Sequence, residues 1–178
     1  MGKQLTGLTD ELIDFIHQQK IFFVGTAAES GRVNVSPKGM DTFRVINSNK
    51  ALWLNLTGSG NETSAHIHQS NRMTIMFCAF EGKPLILRLY GTAVIYHAKD
   101  KEWEFLLKHF PDIAGSRQVF EMNIEMVQTS CGMAVPFFEF TDERRELANW
   151  AEKQGDDRLL NYRKEKNARS IDGFITGI

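Results

Sequence analysis

The stretch TGSGNETSAHI, residues 57–67, connects a predicted strand to a predicted helix. The preceding residues ALWLNL (51–56) have the composition of a buried strand, and NETSAHIHQS (61–70) has the pattern of a short helix. Backbone N–H groups in the first turn of a helix lack partners, and the helix dipole adds partial positive charge there. Two interpretations are open at this point: the stretch binds a phosphate, or Asn61 only caps the helix.

Side chains near this stretch favour the phosphate. Asn61, Thr63 and Ser64 can donate hydrogen bonds to the same anion as the helix N–H groups. Lys38 follows the strand VNVSP, which is a neighbour in the simplest up-and-down order, although a lysine at a strand end is usually solvated. Arg88, in LILRLYG, has mostly apolar neighbours and needs a partner or an exposed face. The sequence therefore predicts an anion site at Lys38 and this turn, with Arg88 as a further candidate.

Composition and charge restrict the class of protein. A chain of 178 residues fits one domain with a real core, and 42% hydrophobic and 24% charged residues are typical of a globular protein. The net charge of −1 offers no attraction to nucleic acid or to an anionic membrane. The start, MGKQLTGLTDELIDF, is polar too early for a secretory signal, and no apolar run approaches the roughly 20 residues that span a bilayer. We expect a cytoplasmic location and neither of those partners.

The pattern of elements predicts a mainly β (α+β) fold. Period-2 or continuously apolar runs occur in IFFVGTA, VNVSP, FRVIN, ALWLNL, RMTIMFCAF, PLILRLYGTAVIY and RQVFEMNIEMVQTS. Six or seven strands joined mostly by short turns favour a closed or nearly closed antiparallel barrel with flanking helices. We expect one barrel domain over 1–140, including a helix at 8–19, and a helical extension over 141–178 that packs on it. Residues 99–110 predict another helix, and Gly155 is the expected break in the extension.

Metal binding and nucleophilic catalysis find little support. His66 and His68 are two residues apart, so on a helix they point about 200° apart and cannot share an ion. The chain has no HExxH, GxSxG, Walker or GxGxxG motif. Cys131 has no histidine near it in sequence, and its simplest interpretation is a small, partly buried core residue. We expect no metal, and no acid–base residue is assigned.

Five segments in order carry a family resemblance: GRVNVSPKG (31–39), LWLNLTGSGNETSAHI (52–67), RMTIMFCAF (72–80), RLYGTAVIY (88–96) and VQTSCGMAVP (127–136). Together they resemble the pyridoxamine 5′-phosphate oxidase-like family, whose fold is the FMN-binding split barrel. The end of the chain, KNARSIDGF, is similar to that of one branch of this family. The resemblance implies a homodimer that holds FMN in two clefts between its subunits and oxidises or reduces a small molecule.

The same resemblance implies roles for individual residues. Lys38 and the turn residues Asn61, Thr63 and Ser64 would hold the flavin phosphate. The family pattern places Val35 and Ser36 beside the flavin ring. It also places Arg88, Ser130 and Cys131 near the cleft, with the second subunit as a possible source.

Departures from the family pattern restrict the substrate. The turn reads Asn61, Glu62 and Thr63 where the oxidases have Ser-Arg-Lys, so the phosphate site is less cationic. GMAVPFFEF (132–140) replaces the segment whose cations grip the substrate phosphate, and a pocket of Val135, Pro136 and Phe137 cannot pair a dianion.

We therefore expect an apolar or uncharged substrate and not pyridoxamine phosphate. Two alternatives stay open besides a flavin-dependent oxidoreductase. One is a non-catalytic flavin-binding or storage protein. The other is a haem-binding split barrel with His66, His68 or His97 as the axial ligand.

Overall fold

A computed structural model describes residues 2–178 of the chain. The elements in order are β1 (Gln4–Leu5), α1 (Asp10–Gln18), β2 (Phe22–Thr26), β3 (Asn34–Lys38), β4 (Phe43–Asn47), β5 (Lys50–Leu56), α2 (Glu62–Gln69), β6 (Arg72–Cys78), β7 (Ile86–His97), α3 (Trp103–Leu107), β8 (Ser116–Ser130) and α4 (Glu146–Lys166). Within these described residues no helix is both long and apolar enough to cross a bilayer.

The strands form one antiparallel sheet in the order β3-β2-β6-β7-β8-β5-β4, and the two-residue β1 pairs with β8. This confirms the predicted fold class, a mainly β antiparallel split barrel with flanking helices. Seven strands make the continuous path, and the eighth is β1, which is too short for a sequence pattern to show.

The sheet curls so that its two ends meet around an aromatic cluster. The ring of Phe22 on β2 lies 5.1 Å from that of Phe43 on β4, at the other end of the strand order. Phe77 on β6 contacts both rings, with centroids 5.8 and 5.2 Å away. Because β2 and β4 are far apart in the sheet, these contacts require a barrel-like curvature. The cleft described below lies where β3 approaches β5.

Strand β5 is buried on both faces, as its run of apolar residues predicts. Ala51 and Trp53 face the barrel core, while Leu52 and Leu54 face a second cluster that contains Trp103 of α3. Side chains two apart in a strand share a face, so one strand serves two cores. Helix α3 is shorter than the predicted 99–110.

The extension contains the break predicted at Gly155, which interrupts α4 with φ 66°. The residues after α4 turn back, with Arg169 and Ile175 forming an isolated antiparallel bridge. They pack against α2 and the turn before it, which brings the end of the chain to the cleft.

Candidate functional site

A cleft of about 710 Å³ opens between the end of β3, the end of β5 and the start of α2. Its size lies within the range of small-molecule and cofactor pockets. The turn 58–61 forms one wall, and Leu147 and Ile171 of the extension border it. The strand-to-helix stretch at 57–67 therefore lines this cleft.

Strand β3 supplies one wall through its alternation. Asn34, Ser36 and Lys38 are two residues apart, and all three line the cleft. The Asn34 amide donates to Ser36 Oγ (3.1 Å) and to Thr63 Oγ1 (3.3 Å). These bonds link β3 to the first turn of α2, and Ser36, Lys38 and Thr63 line the same cleft.

Lys38 lies in a position that disfavours its charge. Its Nζ is 5.1 Å from the centre of the Trp53 ring, a cation–π distance. Burial, with a smaller contribution from the nearby Arg117, lowers the pKa of Lys38 to about 8. The ammonium is therefore still charged at neutral pH, but its charge is poorly solvated.

Arg117 is the cation that the sequence interpretation missed. It is the second residue of β8, is 5% exposed, and lines the same cleft. Its Nη1 donates to the Asn167 side chain (2.6 Å) and to the Gly60 carbonyl (3.1 Å). Burial, followed by the charge of Arg163, lowers the pKa of Arg117 to about 9. The sequence did indicate that Arg117 is buried: it lies two residues before Val119, so in a strand both side chains point to the same face, and Val119 is buried.

No carboxylate in the described chain forms an ion pair with Lys38, Arg117 or Arg163. The ion pairs found there join other residues. Arg163 donates to Thr57 Oγ1 (2.9 Å) and to the Ser116 carbonyl (3.0 Å), beside the same turn. Buried charges are normally paired, so this end of the cleft can accommodate an anion.

Three buried polar atoms around the cleft have no hydrogen-bond partner among residues 2–178: Asn61 Oδ1, His66 Nε2 and Arg117 Nε. Asn61 is at the N-cap of α2, but its side chain makes no capping bond; its amide donates to the Asn167 carbonyl instead (3.4 Å). The interpretation that Asn61 only caps the helix is therefore wrong. Orphaned polar atoms at one cavity are typical of a site that binds a polar group.

Ser64 takes a different position from the one proposed. Its hydroxyl donates to the Thr176 carbonyl (2.6 Å) and accepts a bond from Gln118 (2.8 Å). The side chain is completely buried and does not line the cleft. Within this chain its hydroxyl holds the extension and has no proton left to donate to a ligand.

The other predicted residues lie outside the cleft of a single chain. Val35 points away from it and is 65% exposed, as the alternation of β3 requires. Arg88 donates to Ser130 Oγ (2.8 Å) across β7 and β8. Cys131 is exposed, so the interpretation as a partly buried core residue is wrong. The chain ends its last long strand at Ser130 and leaves the sheet there.

The segment 132–140 does not form a pocket within this chain. Phe137 and Phe138 are 79% and 61% exposed, and Met133 is 81% exposed. The segment is anchored by a bond from the Phe138 N–H to the Phe80 carbonyl (3.1 Å) and by an edge-on contact of their rings. The expected pocket of Val135, Pro136 and Phe137 is therefore absent in one chain, and an apolar surface lies in its place.

The histidines do not converge on a common point. His66 Nδ1 bonds Thr26 Oγ1 (3.1 Å), and His68 Nε2 bonds the Thr176 carbonyl (3.2 Å). His97 stacks on His68 with ring centres 6.5 Å apart. Across the described residues, no group of three or more His, Cys, Asp or Glu side chains could hold a metal ion. Of the three histidines, only His66 lines the cleft.

Comparisons with known proteins identify the family. A family model described as pyridoxamine 5′-phosphate oxidase matches residues 8–131. A protein of Aspergillus flavus, the pyridoxamine 5′-phosphate oxidase family protein ustO, is 34% identical over 187 aligned positions, which cover 94% of this chain and 74% of that protein. The chain therefore belongs to the pyridoxamine 5′-phosphate oxidase family.

Solved structures agree with this fold. HupZ of Group A Streptococcus superposes with a TM-score of 0.54 and 22% identity, over 67% of this chain and 91% of HupZ. A candidate pyridoxamine 5′-phosphate oxidase of Lactobacillus delbrueckii gives a TM-score of 0.54 and 22% identity, over 69% of this chain and 94% of that one. At 22% identity, these superpositions establish the split-barrel fold and give no information about a ligand.

Proposed function

We propose that this chain is an FMN-binding flavoprotein whose phosphate site is the cationic end of the cleft. One observation carries the proposal: the buried Arg117 and the half-buried Lys38 line one cavity, and neither forms an ion pair with a carboxylate in the described chain. A phosphate dianion would pair with both and remove the penalty of two uncompensated charges. Family membership supports a flavin as the molecule that carries this phosphate.

Other hydrogen-bond donors of the site fit the phosphate, while the Glu62 carboxylate, which also lines the cleft, opposes it. The Thr63 hydroxyl and the N–H groups that open α2 are available to a phosphate beside Lys38. Ser36 lies between Asn34 and Lys38 on β3, where it can contact the part of the ligand beyond the phosphate. When bound, FMN supplies the electron or hydride chemistry, and the protein supplies orientation and hydrogen bonds.

We also propose a flavin-dependent oxidoreductase that acts on an apolar or uncharged small molecule. The segment 132–140 offers no cation for a phosphorylated substrate, and its exposed phenylalanines form an apolar surface. In a homodimer this surface, Val35 and the neighbourhood of Arg88, Ser130 and Cys131 would complete the cleft of the partner subunit. Pyridoxamine phosphate is therefore not the proposed substrate.

Spectroscopy of the purified protein tests the ligand class. FMN gives flavin absorption bands, whereas haem bound through His66 gives a Soret band. Anaerobic addition of a reduced nicotinamide dinucleotide, followed by air, tests turnover. Bleaching and recovery of the flavin bands support the oxidoreductase. A bound flavin that no reductant bleaches favours the storage alternative.

Titration of the apoprotein with FMN tests the phosphate site. Lys38→Met and Arg117→Met each remove one charge-assisted interaction of about 1.5–3 kcal/mol, which corresponds to a loss in affinity of roughly 10- to 150-fold. Lys83→Met, which removes an exposed lysine, is the matched control and should leave affinity unchanged. Wild-type affinity in both cleft variants would show that the phosphate binds elsewhere.

A further inference from the structure

The side chain of Asn167, just after α4, joins the extension to the cationic end of the cleft. It is completely buried. Its Oδ1 accepts the 2.6 Å bond from Arg117 Nη1, and its Nδ2 donates to the Gly58 carbonyl at 3.0 Å. One neutral amide therefore fixes both the buried guanidinium and the glycine-rich turn that faces it.

Two further hydrogen bonds fix the backbone carbonyl of Asn167. Its carbonyl accepts bonds from Asn61 Nδ2 (3.4 Å) and from Thr176 Oγ1 (2.5 Å). Thr176 is also completely buried, and its own carbonyl accepts the bond from Ser64. The segment 167–176 is thereby held to α2 by buried bonds at both of its ends.

The same segment also engages the acidic residue of the turn. The N–H of Ile171 donates to both carboxylate oxygens of Glu62, at 3.2 and 3.0 Å. A carboxylate at the first turn of α2 would repel a phosphate in the cleft. The bonds from the Ile171 N–H orient the Glu62 carboxylate toward the extension. Arg117 then supplies a cation that the turn itself lacks.

We infer that Asn167 is a positioning residue that sets the preference for a phosphorylated flavin over an unphosphorylated one. This inference rests on the proposed FMN site. An amide oxygen orients the Arg117 guanidinium and leaves its charge uncancelled, so the charge stays available to the ligand. A carboxylate at the same position would orient it equally well but neutralise it.

The test compares FMN with riboflavin, which lacks the phosphate, by titration of the apoprotein. Asn167→Asp keeps the size of the side chain and adds a negative charge beside Arg117 and the Gly58 carbonyl. We expect FMN affinity to fall at least tenfold and riboflavin affinity to change less than about twofold. Asn71→Asp adds the same charge at an exposed position and should leave both affinities unchanged.

A second variant removes a bond to the backbone of Asn167 and leaves the Asn167 side chain unchanged. Thr176→Val removes the hydroxyl bonded to the Asn167 carbonyl and adds no charge, and it decides the question if Asn167→Asp does not fold. We expect it to lower the FMN-to-riboflavin affinity ratio about threefold. An unchanged ratio in the folded variants, with wild-type preference for FMN intact, would overturn the inference. A wild-type protein without that preference would instead overturn the proposed phosphate site.

Discussion

At the scale of single residues, the cleft is built from groups whose burial opposes folding. Lys38 and Arg117 are charged, largely desolvated and without carboxylate partners in the part of the chain described. A protein selected only for stability would replace them with apolar side chains of similar volume. Their presence is expected where a ligand supplies the missing negative charge.

Lys38→Met should therefore stabilise the ligand-free protein. Below about pH 8 Lys38 is charged in both states, so the folded state carries its full desolvation penalty. Methionine keeps the apolar stem against Trp53, and we expect a gain on the order of 1–3 kcal/mol at pH 7. Chemical denaturation in a buffer without phosphate measures it.

The pH dependence of the free energy of unfolding tests whether the charge of Lys38 destabilises the folded protein. Because the folded pKa of Lys38 is about 8 and its ordinary value is 10.5, the unfolded chain binds more protons between these values. Wild-type stability should rise relative to the variant across that interval, and the difference should vanish near pH 10.5. A variant that is less stable than wild type at pH 7 would show that the lysine has a partner.

The residues of the site were predictable where they follow local patterns. Lys38 ends an alternating strand, and Asn61 and Thr63 open a helix after a glycine-rich turn, so local chemistry identified them. Arg117 was not identified because its proximity depends on the pairing of β5 with β8, which places Asn55 opposite Gln118. The alternation of β8 indicates that Arg117 is buried, but a register over more than 60 residues leaves no local signal of the cleft that Arg117 lines.

At the scale of elements, the long strand β7 depends on Gly91. The register with β8 shifts between Tyr90 and Gly91, which is typical of a β-bulge. A Cβ at position 91 would collide with the Asn123 carbonyl oxygen on β8. That atom belongs to the backbone of a paired strand, so it cannot move without breaking the ladder.

Gly91→Ala should therefore destabilise the protein by about 1–3 kcal/mol. Gly25→Ala is the matched control, because a Cβ there meets Thr74 only at ordinary contact distances of 3.8 and 3.9 Å. We expect the control to remain within about 0.5 kcal/mol of wild type. Thermal or urea unfolding distinguishes the two, and equal stabilities would contradict the close approach at Gly91.

Helix α3 shows where a periodic pattern overestimates an element. Residues 99–110 have helical spacing, but after Leu107 the chain continues with bonds from His109 N–H to the Leu106 carbonyl and from Phe110 N–H to the Leu107 carbonyl. These i−3 bonds form tight turns that still bury Phe110. Trp103, Leu106 and Phe110 of the apolar pattern are buried, whereas Phe105 is 67% exposed, and the backbone is not an α-helix throughout.

At the scale of the whole molecule, the exposed apolar surface of 132–140 is the feature that supports the proposed homodimer. Several of its side chains are exposed, and contiguous patches of this kind are typical of interfaces. The family resemblance supports a second copy of this chain as the occupant. The cleft of each subunit would then receive the substrate-facing residues that its own chain does not supply.

The double substitution Phe137→Ser and Phe138→Ser should weaken the homodimer. Light scattering should give wild type twice the chain mass of 20.3 kDa and shift the variant toward 20.3 kDa. Phe105→Ser removes a phenylalanine of α3 that is 67% exposed, and it should remain dimeric. A wild-type monomer that still binds FMN would exclude the shared cleft.

The contacts of the extension could not be predicted from sequence. Its charged helix and the break at Gly155 follow from local patterns, but the bond from Asn167 to the Gly58 carbonyl spans 109 residues. Residues 167–178 mix polar and apolar side chains, so packing on the barrel domain was expected, but contact with the glycine-rich turn was not. The structure shows that this segment completes one wall of the cleft.

The central claim is that Lys38 and Arg117 together bind the phosphate of FMN, and a crystal structure of the FMN complex tests it most directly. We predict the phosphate oxygens within hydrogen-bond distance, about 2.7–3.2 Å, of Lys38 Nζ and of the Arg117 guanidinium, beside the first turn of α2. A complex whose phosphate lies outside this cleft, or a cleft that holds only water at saturating FMN, would contradict the claim.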